Sequence, residues 1–137
     1  ASVTGIKRTV FELISSMRED SPLRSLSFEE LTGTAISDAA LKGDIIALKA
    51  FEKTGEILGS KMADTVAHVD PEAFILSGGL SKAGEILLNP IKTSMENHLF
   101  NAYKGKVNIL LSKATSADAV LGPAALAWTE LERAMVT

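Results

Sequence analysis

There is no cysteine among the 137 residues. That excludes a disulfide framework, a thiol nucleophile and a thiolate-ligated zinc built from this chain. Basic residues are not in excess either: 14 Lys and Arg stand against 17 Asp and Glu, a net charge of -3. A stand-alone DNA or RNA binder needs a concentrated basic footprint, so that class drops out. No apolar run is long enough for a membrane span and no stretch has the layout of a secretory signal, which points to a cytoplasmic protein. Repeats, low-complexity segments and internal linkers are also missing. With 46% apolar and 23% charged residues, what remains is the composition of one domain with a real core.

The chain opens at Ala1 rather than methionine and enters a helical pattern almost at once. We therefore expect a part of a longer protein. Ser2 and Thr4 are cap-type residues, and Ile6, Val10, Leu13 and Met17 follow at spacings of four, three and four. That predicts an amphipathic helix ending near Asp20, before the Ser21-Pro22 break. Ser27 with Glu29 and Glu30 suggests a capping arrangement. A short helix over 34–42 is closed by Gly43, and Asp44 caps the longest helix, running to about Val69. Its expected apolar stripe is Leu48, Phe51, Leu58, Met62, Val66 and Val69. Gly55 and Gly59, four apart on this helix, are explained by close approach of a neighbouring element.

After Asp70-Pro71, the run Ala73-Phe74-Ile75-Leu76 reads as a short buried strand of the parallel kind, bounded by Gly78-Gly79. A helix over 82–100 should carry Ile86, Leu87, Ile91, Met95 and Leu99 inward. Pro90 predicts a kink in it, or a restart capped by Asn89. Val107–Leu111 reads as a second buried strand, and Gly122-Pro123 starts a last helix with Leu126, Trp128 and Leu131. Strand-helix-strand of this length implies a right-handed parallel crossover. Two strands make a poor sheet, so further strands are expected in polypeptide beyond this chain.

The segment best suited to chemistry is Phe74 to Gly84. A strand running into Ser77-Gly78-Gly79-Leu80 and then a helix exposes backbone N–H groups, and glycines let a ligand come close. Ends of parallel strands are where open α/β sheets bind ligands. It is neither a Walker loop nor a dinucleotide fingerprint, because both spacings are absent. Packing or a structural turn is the competing explanation.

Other candidates carry less. His68 and His98 lie near helix ends, where a cationic cap or core role suffices. Asp64 with Asp70, and Glu29 with Glu30, are explained by solvated faces and caps. Ser15-Ser16 and Ser25/Ser27 have no base beside them in sequence, and Lys104-Gly105-Lys106 reads as a solvated turn. No histidines show metal-ligand spacing. Hence no catalytic residue and no metal ligand is assigned within the chain.

Four ordered segments together resemble the ROK family of bacterial sugar kinases and sugar-responsive repressors, the glucokinase-like members above all. They are Ala1–Ile6 with Arg8, Ala39–Asp44, Asp70–Glu72 through Leu76–Ser81, and Asp118–Ala127. The resemblance spans essentially the whole chain. Two departures stand: Ser77 replaces the first of three usual glycines, and Pro123 replaces an alanine.

The resemblance implies an α/β fold, the C-terminal part of an actin-like (ribonuclease-H-like) ATPase lobe, helix-rich with a short parallel strand pair. Residues 1–137 would be that C-terminal lobe, with the N-terminal lobe absent from this chain. Ser77, Gly78, Gly79 and Leu80 would then contact the adenosine of ATP, with Thr4 and Gly5 near the same cleft. The family's first phosphate loop, catalytic Asn-Asp pair, second phosphate loop and zinc-holding His/Cys cluster have no counterpart here. The complete protein would use ATP and Mg2+ to phosphorylate a hexose of glucose type and form a homodimer; these residues alone would be inactive. The alternative is the lobe of a sugar-responsive repressor, which touches DNA only if a helix-turn-helix lies upstream. A third reading, from another class, is a free-standing interaction module; the shortage of strands counts against it.

Overall fold

The structure is a computed structural model that describes residues 2–112 and 120–136. Ala1, Asp118 and Ala119, which belong to two of the segments quoted above, lie outside the described residues.

Helix α1 spans Val3–Ser16. The Ser2 hydroxyl caps it by accepting from the Gly5 amide at 3.1 Å, and its inner face buries Ile6 and Val10. It ends four residues earlier than expected. Met17 is already extended, and the Arg24 guanidinium, on the 3-10 turn Pro22–Ser25, donates to the carbonyls of Ile14 and Glu19. Those donors satisfy carbonyl groups that a further helical turn would otherwise occupy. Ser27 and Glu30 form the reciprocal cap expected of them. The Ser27 amide donates to Glu30 Oε2 at 2.9 Å, and the Glu30 amide to Ser27 Oγ at 3.4 Å.

Helix α2 spans Gly33–Leu41. Its end at Gly43 pairs the Asp44 amide with the Ala39 carbonyl and the Gly43 amide with that of Ala40, the two bonds of a Schellman closure. Helix α3 spans Ile45–Val69 and is capped by Asp44, whose Oδ1 accepts from the Ala47 amide at 2.8 Å.

The expected stripe on α3 needs correcting. Leu48 and Val69 are exposed, and the buried face instead runs through Ile46, Ala47, Ala50, Phe51, Thr54, Gly55, Gly59, Met62, Ala63 and Val66. The reason is helix α4, Glu85–His98, which makes the most extensive inter-element contact of the fold with α3. The small residues of α3 form that contact, and a Leu-weighted periodicity overlooks them. A Cβ on Gly55 would lie 2.7 Å from Pro90 Cβ, and one on Gly59 2.7 Å from Ser94 Cβ. Close helix approach is therefore what both glycines permit.

Strand β1 (Ala73–Leu76) pairs in parallel with β2 (Asn108–Leu111), Ala73 opposite Asn108 and Leu76 opposite Leu111. Both strands fall where the sequence placed them, but they are buried on one face only. Ile109 is buried and Phe74 and Leu76 pack on the core, while Ile75 and Leu110 are exposed.

Between β1 and α4 lies a 3-10 turn, Gly79–Ala83. The glycines thus open a short turn rather than the long helix directly, and α4 starts three residues later than expected. Pro90 produces neither a break nor a cap at Asn89: α4 runs through it. The ring lacks the N–H that would bond the Ile86 carbonyl, and it sits in the space that Gly55 leaves on α3.

Helix α5 spans Leu121–Val136. It forms as expected, but Leu126, Trp128 and Leu131 are exposed. The core is shared by α1 to α4 and the inner face of the strand pair.

Candidate functional site

The turn Ser77–Leu80 is shaped by one residue with a special backbone. Gly78 sits at φ +99 and ψ -176, where a side chain is strongly disfavoured. Its carbonyl then receives two donors from Ser81, the amide at 3.1 Å and the hydroxyl at 2.6 Å. These bonds hold the backbone in a tight loop at the carboxyl end of β1. Gly79 differs: its φ is not positive, and a Cβ there would meet no atom within 4 Å. Among the described residues, neither backbone conformation nor a neighbouring atom requires a glycine at 79.

The loop opens into a cleft of about 410 Å3. Ser77, Gly78, Gly79, Leu80 and Ser81 contribute to it, with Ile75 and Leu76 from β1, Leu58 from α3 and Leu87 from α4. Ser2 and Val3 at the start of α1 complete it. Every lining residue is uncharged. An aliphatic cleft with a few hydroxyls and exposed backbone suits a neutral, flat, partly polar group better than a polyphosphate.

The structure brings Ser77, Gly78, Gly79 and Leu80 together in this cleft. Thr4 and Gly5 are not among its lining residues. Gly5 faces a neighbouring cleft of about 240 Å3 with Ile6, Thr9, Thr54, Ile57 and Lys61, which shares Ser2 and Leu58 with the first. Thr4 is exposed and lines neither. Sequence reasoning missed Ser2, Val3, Leu58 and Leu87, which reach the loop from distant segments through tertiary packing. The only local signal was that Ser2 precedes the first helix.

The remaining titratable candidates stand apart from both glycines. Lys61 donates to Asp64 Oδ2 at 2.9 Å. This bond and the charge attraction hold the Asp64 carboxyl below its usual range and the Lys61 ammonium above its own. His68 Nδ1 lies 2.6 Å from the Asp64 carbonyl and His98 Nδ1 2.7 Å from that of Ser94. Both rings are thereby tied to their own helices. Asp70 closes α3 in a left-handed conformation at φ +45. Among the described residues no group of three His, Asp or Glu side chains is placed to hold a metal ion. No carboxylate lines the glycine cleft, so these residues do not fit a Mg2+ ion there. A wider groove of about 530 Å3 between α3 and α4, which includes Glu52, Glu56 and Glu85, holds none of the residues proposed from sequence to contact a nucleotide.

Comparison with known proteins places the chain among sugar kinases and repressors. The glucokinase of Thermotoga maritima is 28% identical over 98 residues, covering 72% of this chain and 31% of the relative. The DNA-binding transcriptional repressor Mlc of Escherichia coli is 25% identical over 116 residues, covering 85% of this chain and 29% of the repressor. Among solved structures, a ROK family glucokinase from Streptomyces griseus, in complex with glucose and AMPPNP, superposes with a TM-score of 0.71 at 29% identity. That match covers 81% of this chain and 37% of the glucokinase. The chain therefore spans about a third of the length of the curated relatives it matches. The fold is that of the ROK sugar kinases, an actin-like ATPase fold. Residues 1–130 match the ROK family, and the chain belongs to it.

Proposed function

We propose that residues 1–137 form the C-terminal lobe of a sugar kinase, and that Ser77, Gly78, Gly79 and Leu80 hold the nucleoside end of ATP. The observation that carries this reading is the bare position at Gly79: a side chain there would enter an open, uncharged cleft, and neither backbone nor packing demands its absence. A ligand approaching the backbone supplies the missing reason. The AMPPNP complex of the related glucokinase supports a nucleotide as that ligand. Ser2 and Val3 line the same cleft, with Thr4 and Gly5 beside them at the start of α1.

The complete protein transfers the γ-phosphoryl group of ATP to a hexose hydroxyl. Phosphate binding, the base, and the Mg2+ that goes with ATP belong to residues outside this chain, so the lobe alone turns over no hexose. The reading includes a cytoplasmic homodimer, supported by the exposed apolar side chains of α5. Calorimetric titration of the chain with adenosine, and a coupled ATP–glucose assay of the complete protein, test it. Absence of adenosine binding and of ATP-dependent phosphorylation of any hexose overturns it.

The second reading is a sugar-responsive repressor lobe. It is favoured by the Mlc match, which covers a larger share of this chain than the glucokinase match. It predicts that the complete protein binds a sugar and operator DNA and leaves ATP unconsumed in the same assay.

A further inference from the structure

Gly33, the buried first residue of α2, links two walls of the nucleoside cleft. A Cβ on it would lie 3.4 Å from Val3 Cγ2 and 3.7 Å from Leu80 Cδ2. Both side chains thus rest on the same bare backbone, and the start of α1 is seated against the 3-10 turn that follows the glycine loop. Val3 is fixed from two further directions. The Ser2 cap sets the helix start, and a β-branched side chain in a helix has essentially one rotamer. It remains 38% exposed, and the cleft is what it faces.

We propose that Val3, seated on Gly33 and Leu80, is the second wall of the nucleoside cleft and a specificity-determining residue that limits the size of the base admitted. The proposal rests on the nucleoside reading of the cleft given above. A rigid aliphatic wall makes no hydrogen bond to a base edge, so it discriminates by shape. Such walls distinguish ligands differing by a small group roughly tenfold or more. Ser77 and Leu80 line the same cleft from the glycine loop, and Val3 lines it from the start of α1, outside that loop.

The test uses the whole 137-residue chain, labelled with 15N, and adenosine as probe. In the parent chain, adenosine shifts the amide signals of both Ser2–Thr4 and Gly78–Ser81. Val3→Trp fills the cleft and weakens adenosine binding by about tenfold or more. Val3→Ala opens the wall and improves the affinity for N6-benzyladenosine relative to adenosine. Should Val3→Trp fail to fold, the Val3→Ala comparison decides alone. Shifts confined to Gly78–Ser81, with both variants binding like the parent, overturn the wall and leave the nucleoside reading standing. No adenosine-dependent shift anywhere overturns both.

Discussion

Gly55 and Pro90 face each other with no room for a side chain between them: a Cβ on Gly55 would lie 2.7 Å from Pro90 Cβ and 2.8 Å from its Cγ. Each residue alone is a poor choice for a helix interior. Together they are compatible, because the ring of one occupies the space left by the other. This contact and the parallel one at Gly59 lock α4 onto α3. Since α4 leads back to the glycine loop through Gly84 and α3 supplies Leu58, the same contact positions two sides of the cleft.

Gly59→Ala tests that lock. The substitution gains about 1 kcal/mol of helix propensity, but its methyl would meet the Ile91 carbonyl oxygen and the Met95 amide, which are backbone atoms and cannot rotate away. Overpacking of this kind costs about 1–3 kcal/mol, so a net loss of up to about 2 kcal/mol is expected in urea unfolding. Gly5→Ala is the contrast. Its Cβ meets only Ser2 Oγ, at 3.5 Å, so it should stabilise by up to about 1 kcal/mol.

Asp44→Ala removes the acceptor that caps the 25-residue α3. The Ala47 amide then loses its side-chain acceptor, and a loss of about 1 kcal/mol is expected. Asp44→Asn, which keeps an acceptor oxygen, should recover most of it. Equal loss in both variants would place the effect elsewhere than in the cap.

Both strands, the Asp44 cap, the Gly43 closure and the Ser27–Glu30 box could be located from sequence because each is fixed by residues within a few positions. What escaped are features decided by partners distant in sequence. Leu48 and Val69 fit the helical period as well as Ala50 or Ala63 do, and packing against elements distant in sequence decides which are buried. Pro90 reads locally as a kink or a restart capped by Asn89, whereas α4 starts at Glu85 and runs through it beside Gly55. The loop Ser77–Leu80 announced itself by its glycines. Val3 and Leu58 carry no local sign of lining the same cleft, because tertiary packing alone brings residues 3, 58 and 80 together.

Two exposed carboxyls titrate below their ordinary range for different reasons, and salt should separate them. The Glu30 carboxyl is held down by the Ser27 amide and then by the Ser27 hydroxyl. Asp64 is held down by the hydrogen bond from Lys61 and then by that ammonium's charge. Because both are acids with lowered values, the stability they lend is present above the ordinary carboxylate range. It is lost as the pH falls through their folded-state values. In a 13C-detected titration, Lys61→Met should raise Asp64 and leave Glu30 in place. Added salt should raise Asp64 more than Glu30, since screening acts on the charge attraction and hardly on a backbone donor. Equal salt response of the two would contradict this assignment of causes.

Gly78 and Gly79 are adjacent, yet substitution should affect them in opposite ways. Gly78 is required by its own backbone: at φ +99 an alanine is strained by about 1–3 kcal/mol, and the two bonds from Ser81 to its carbonyl resist relaxation. Gly78→Ala should therefore lower the stability of the chain whether or not a ligand is present. Gly79 has neither constraint, and its Cβ would project into open space. Gly79→Ala should leave the unfolding free energy within about 0.5 kcal/mol of the parent, as surface changes usually do. In the complete protein, Gly79→Val should raise the KM for ATP by about tenfold and leave the KM for the hexose unchanged. A valine at 79 that alters neither KM would mean that this glycine is empty space rather than a ligand's approach, and the nucleoside reading would lose the observation on which it stands.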